Sequence, residues 1–150
     1  MYKLLSWVAP VMWMATIFYL SHQPSTTSSE LSSGISEVIM HTIETIAPDQ
    51  DFNVGAFHHY VRKNAHFFAY LLLGILVLNA LRSSNIAGYR RAASVALLIC
   101  VLYAISDEVH QLFIAGRSGE VRDVLIDSAG ASIGLGIWMV IGRIVKRKKR

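Results

Sequence analysis

Four apolar stretches of this chain are each long enough to enter a bilayer, and all four carry their ionisable residues towards the same side. Their bounds are 4–20, 65–81, 92–113 and 124–141. A hydrocarbon core takes about 20 residues of α-helix. Inside it, backbone groups must be paired within the segment or with neighbours. The expected fold is therefore all-α, a polytopic membrane helix bundle with four transmembrane spans. With a hydrophobic fraction of 53% and a mean hydropathy of +0.43, the composition favours a membrane protein over a soluble one. The 150 residues suffice for a single domain.

The segment between the first two spans differs in character. Leu31, Ile35, Val38, Ile39, Thr42 and Ile46 fall at helical spacing, with Glu30, Glu37, His41 and Glu44 on or near the other face. This pattern predicts one amphipathic surface helix, too polar to span, opened by Ser28 or Ser29 and ended by Pro48. Pro10 lies inside the first span and predicts a mild kink.

Basic residues set the expected orientation. Lys3, Arg82, Arg90, Arg91 and the tail over 143–150 outweigh Arg62, Lys63, Arg117 and Arg122 on the other side. Both termini are thus expected in the cytoplasm, with the clustered polar residues outside. The basic tail beside an apolar span reads as a topology signal or lipid anchor, so membrane lipids and no nucleic acid are the expected partners. Cys100 is the single cysteine. It excludes an intramolecular disulfide and reads as a packing residue.

Ionisable groups cost about 2.5–3.5 kcal/mol each at mid-bilayer on insertion scales. Three clusters converging at one depth therefore indicate a site. At the entry to the second span, Arg62, His66 and Tyr70 are spaced by four and share a helix face, while Lys63 reads as an interfacial anchor. At the exit of the third span, Asp107, His110 and Gln111 share a face. Glu108 points about a quarter-turn away, towards a basic partner on another helix. A carboxylate, a His and an amide there serve a proton relay, a metal site or a phosphate-orienting site. The zinc motif with two His residues four apart is not present, and ligands from other helices would be needed to complete a metal site. No metal and no cofactor is assigned.

Before the fourth span, Gly116 and Gly119 flank Arg117 in a tight turn suited to bringing backbone N–H groups to an anion. Asp123 and Asp127 follow at i, i+4. Asp123 suits the helix N-terminus; Asp127 is one turn deeper, where a bland role is harder to assign. Gly130 and Gly134 continue the stripe and read as packing within the bundle.

Arg62-Lys63-x-x-His66 with Tyr70, Ser106-Asp107-Glu108-x-His110-Gln111-x-Phe113, and Gly116-Arg117-x-Gly119 with Asp123, Asp127 and Gly130 resemble the VanZ-like family, as does the Ser21-x-Gln23-Pro24 exit of the first span. The resemblance implies a polytopic helical protein of the bacterial cytoplasmic membrane. It also brings a link to glycopeptide resistance, since the family is named for a member associated with low-level resistance to teicoplanin.

Three functions compete. The first is an envelope-facing site for an anionic, lipid-linked or headgroup-like ligand. Arg62 and Arg117 would contact the anion; His66, His110, Asp107 and Asp127 would order the site, with Tyr70, Gln111 and Asp123 beside them. The second is a membrane-embedded hydrolase or transferase on such a ligand. There His66 or His110 would be the general acid/base, and Asp107, Glu108, Asp123 or Asp127 would orient it or hold a divalent metal. The third is structural, with the polar groups pairing among themselves in a membrane partner protein.

Overall fold

The computed structural model describes residues 2–26, 34, 54–84 and 88–148. The surface helix expected over 31–46 lies outside them. Among the described residues the long elements are four α-helices: α1 (Tyr2–Ser21), α2 (Val54–Ser83), α3 (Tyr89–Gln111) and α4 (Val121–Lys148), with no strand. Each contains a stretch long and apolar enough to cross a membrane: Lys3–Ser21, Lys63–Ser83, Arg90–Gln111 and Val121–Gly142.

The helices alternate in direction. At one end, Trp7 Nε1 near the start of α1 donates to Ser84 Oγ just past α2, at 3.1 Å. At the other, Ser21 Oγ at the end of α1 donates to Asp107 Oδ2 late in α3, at 2.8 Å. Lys63, early in α2, meets Glu120 and Asp123 at the start of α4. The two termini of the bundle thus share one end and the polar clusters share the other.

Each inward stripe explains how its helix packs. On α3, Ala92, Ala96, Cys100 and Ala104 recur every four residues and are fully buried. Small side chains let that helix approach closely, which matters where packing, not water exclusion, drives association. Tyr70, Leu73, Val77, Leu78 and Leu81 of α2 fill the centre, against Ala131 and Leu135 of α4. Among the described residues the most extensive interface is between α2 and α4. It closes on backbone: an added Cβ at Gly74 would lie 2.7 Å from the Ala131 carbonyl oxygen. Gly130 and Gly134 press in the same way on the carbonyls of Phe67 and Leu71.

α1 docks chiefly on α2 and touches α3 lightly. Trp13 Nε1 donates to the Ala69 carbonyl at 2.8 Å, and Tyr103 Oη to that of Met14 at 2.6 Å. Pro10 is buried within α1. The outward faces are apolar, with Leu4, Val8 and Met12 on α1 and Leu98, Leu102 and Ile105 on α3. Hydroxyls at lipid depth bond back to the preceding turn, Ser128 to Val124 O at 2.7 Å and Ser132 to Ser128 O at 2.8 Å.

Two helix limits differ from the sequence expectation. α3 ends at Gln111, not at Phe113, because Phe113 N and Ile114 N turn back onto His110 O and Gln111 O. α2 begins at Val54, well before the apolar stretch at 65. Its 30 residues reach about 45 Å, longer than a hydrocarbon core of about 30 Å, so its first turns project beyond the core.

Candidate functional site

Three inward stripes end in titratable residues at the same depth. On α2, Leu73 and Tyr70 lead to His66. On α3, Ala104 leads to Asp107, Glu108 and Gln111. On α4, Leu135 and Ala131 lead to Asp127. Periodicity along each helix therefore delivers the polar ends to a shared interior. Asp107, Glu108, Gln111 and Asp127 are all buried there.

One hydrogen-bond network ties α1, α3 and the turn before α4 together. Asp107 Oδ2 accepts from Ser21 Oγ at 2.8 Å and from Gln111 Nε2 at 3.3 Å. Gln111 Nε2 also donates to Glu108 Oε1 at 3.1 Å. Glu108 Oε2 accepts from the backbone N–H of Glu120 at 2.9 Å, at the mouth of α4. The helix N-terminus favours a negative charge there. The N–H of Glu120, just past the Gly-flanked turn, is thus given to the chain's own carboxylate.

Arg117 anchors the exit of α1. Its Nε donates to Gln23 O at 2.8 Å, its Nη2 to Leu20 O at 3.1 Å and its Nη1 to Gln111 Oε1 at 3.3 Å. The last carbonyls of a helix have no partner within it, and the planar guanidinium takes one of them, Leu20 O, together with Gln23 O just past the helix. Gly116 makes the turn possible with φ of 72°, the left-handed region. Gly119 lies against Glu108, where an added Cβ would sit 2.5 Å from its carbonyl oxygen.

On the other wall, Lys63 Nζ pairs with Asp123 Oδ1 at 2.8 Å and Glu120 Oε2 at 3.2 Å. His66 Nδ1 lies 3.7 Å from Asp127 Oδ2. Asp127 is fully buried, and neither of its oxygens has a hydrogen-bond partner among the described residues. The Tyr70 hydroxyl is buried and unpartnered in the same sense. Lys63, His66, Gln111, Asp123, Ile126 and Asp127 line a small pocket with room for about one water molecule. One ligand atom from each of His66, Glu108 and Asp127 falls within 4.8 Å of the others.

His110 stands on a different surface. Its Nε2 meets His22 Nδ1 at 3.1 Å, and its ring stacks on Phe18 with centroids 4.5 Å apart. Of the residues expected to converge, the structure brings together His66, Tyr70, Asp107, Glu108, Gln111, Arg117, Asp123 and Asp127, with His110 at the edge. Arg62 lies on α2, and its side chain is outside the described set. Ser21, Lys63 and Glu120 were not placed in the site from sequence. Lys63 had a usable signal: it precedes His66 by three and Tyr70 by seven, so it shares their face.

The sequence model of the VanZ/LLP1 family matches residues 6–142. No curated protein and no solved structure matches the chain.

Proposed function

The chain belongs to the VanZ/LLP1 family, and from the site just described we propose that it is an envelope-facing membrane protein whose polar end binds an anionic, lipid-linked or headgroup-like ligand. The observation that carries this is the contrast across the site. A buried polar network sits directly beside Leu112, Phe113, Val121 and Leu125, all well exposed at the same end of the bundle. A headgroup carrying acyl or prenyl chains has the same division between polar and apolar parts. Arg62 and Arg117 are the guanidinium candidates for its anion. Arg117 would reach it by exchanging one of its carbonyl partners. His66, Asp107 and Asp127 order the interior, and His110 borders it. Glycopeptide resistance, specifically to teicoplanin, is one physiological form such ligand capture would take.

Lipid mass spectrometry of the protein extracted in mild detergent tests the reading. One anionic lipid class should be retained in near-stoichiometric amount by the wild type and be depleted at least about tenfold, about 1.4 kcal/mol, in Arg62→Ala. Equal lipid profiles for the two proteins overturn it.

A second reading is favoured by the His66–Asp127 approach. A carboxylate facing an imidazole nitrogen can orient it for proton transfer. The protein would then be a hydrolase or transferase acting on the same ligand, with His66 as general acid/base. Conversion of the retained lipid over time, lost in His66→Gln, distinguishes turnover from binding.

The proposed setting is the bacterial cytoplasmic membrane with both termini inside, on the excess of basic residues at that end of the bundle. In a Cys100→Ala background, Ser118→Cys should react with an impermeant thiol reagent in intact cells and Gly88→Cys should not. The reverse pattern moves the site to the cytoplasmic face.

A further inference from the structure

We infer that His66, Glu108 and Asp127, one residue from each of α2, α3 and α4, form a binding site for a divalent cation of the zinc or manganese class. Three facts combine. Their ligand atoms lie within 4.8 Å of one another. Asp127 is fully buried and neither oxygen has a hydrogen-bond partner among the described residues. A buried carboxylate is costly unless it is paired, hydrogen-bonded or bound to a metal. The remaining fact is a distance: His66 Nδ1 is 3.7 Å from Asp127 Oδ2. That is too long for a hydrogen bond, and it pairs the carboxylate only when the imidazole is protonated. It is close to the spacing of about 3.4 Å between two ligands that each sit about 2.1 Å from a tetrahedral ion.

The surroundings fit a held ligand set. Glu108 is fixed through both oxygens, by Gln111 Nε2 at 3.1 Å and by the Glu120 N–H at 2.9 Å. Outer partners of this kind orient metal-binding carboxylates. One nitrogen and two carboxylates leave a coordination position open, as in sites where metal meets substrate. The neighbouring pocket, with room for about one water molecule, adjoins His66 and Asp127.

The cation also bears on how an anion could approach. Asp107, Glu108 and Asp127 bring three carboxyl groups to the interior, and a phosphate-class ligand would meet their negative charge. A divalent ion among them offsets two of those three charges and offers an oxygen site. This bridging role rests on the ligand reading above; the binding of the ion does not.

The test uses the full chain, purified in detergent, stripped with a chelator and titrated with Zn²⁺ or Mn²⁺ alone. Bound metal is counted by mass spectrometry and the melting temperature is followed. One ion per chain is expected, with a rise in melting temperature. Asp127→Asn and Glu108→Gln should each weaken binding by at least about tenfold, while His110→Gln leaves it unchanged. The His110 variant matters because His22 and His110 form a second, more exposed nitrogen pair. Loss of binding in His110→Gln with retention in Asp127→Asn puts the ion at that pair and overturns the proposal. So does wild-type protein that takes up neither metal stoichiometrically, a result that needs no variant to fold. Lipid profiles on the same preparations keep the two readings apart. Metal bound without a retained anionic lipid supports the cation site and overturns the ligand reading. Lipid retained by protein that binds neither metal does the opposite.

Discussion

Gly134→Ala should cost the bundle about 1–3 kcal/mol, and Gly130→Ala about as much, the range for forcing extra atoms into a packed interior. A Cβ at either position would press on a backbone carbonyl of α2, that of Leu71 or Phe67. Backbone atoms cannot rotate out of the way as a side chain can. The helices must separate, and α2 with α4 is the most extensive interface among the described residues. Gly136 supplies the control. It lies on the same helix with nothing within 4 Å of an added Cβ. Gly136→Ala should be neutral or stabilise by up to about 1 kcal/mol through helix propensity. Thermal unfolding in one detergent, for all three variants, checks this. Equal melting temperatures for Gly134→Ala and Gly136→Ala would show that α2 and α4 do not approach as described.

That interface shows which parts of the structure can be read from sequence. A run of apolar residues states a demand for lipid, and spacing by four states which side turns inward. The four spans and the packing role of Gly130 and Gly134 follow from those two rules. Helix ends do not follow, because hydropathy marks where the membrane is and not where hydrogen bonding stops. His58, His59, Arg62 and Lys63 lower the apolar signal of α2 without interrupting its helix.

The site was legible to the extent that each residue's role is set by its own helix. Asp107, Gln111 and Asp127 come from inward stripes and lie inside. Lys63 was read as an interfacial anchor because its partners, Glu120 and Asp123, stand 57 and 60 residues away in sequence. His110 shares a face with Asp107 at an offset of three, yet that offset falls short of a full turn of 3.6 residues. The shortfall carries His110 towards α1, where His22 and Phe18 meet it.

Arg117→Ala is expected to loosen α1 from the bundle and to cost about 3 kcal/mol. Arg117 supplies charged hydrogen bonds to Leu20 O and Gln23 O at the exit of α1, and hydrogen bonds to charged groups contribute about 1.5–3 kcal/mol each. Ser21 Oγ on Asp107 and the His22–His110 pair also hold that end, but the span as a whole is shallowly packed. In its span only 17% of residues are buried, the smallest share of the four. Two of the three tryptophans, Trp7 and Trp13, lie on α1 and bond to Ser84 and Ala69 across the α2 interface. Tryptophan emission therefore reports whether α1 stays docked, and should shift in Arg117→Ala at temperatures where α2, α3 and α4 remain helical by circular dichroism. Arg117→Lys should recover less than half of the loss, because a single ammonium cannot span two carbonyls and Gln111 Oε1 as the guanidinium fork does. A different outcome would restore the role first expected from the Gly-flanked turn. If Arg117→Ala melts like the wild type but no longer retains an anionic lipid, the guanidinium acts on the ligand and its bonds to α1 are incidental.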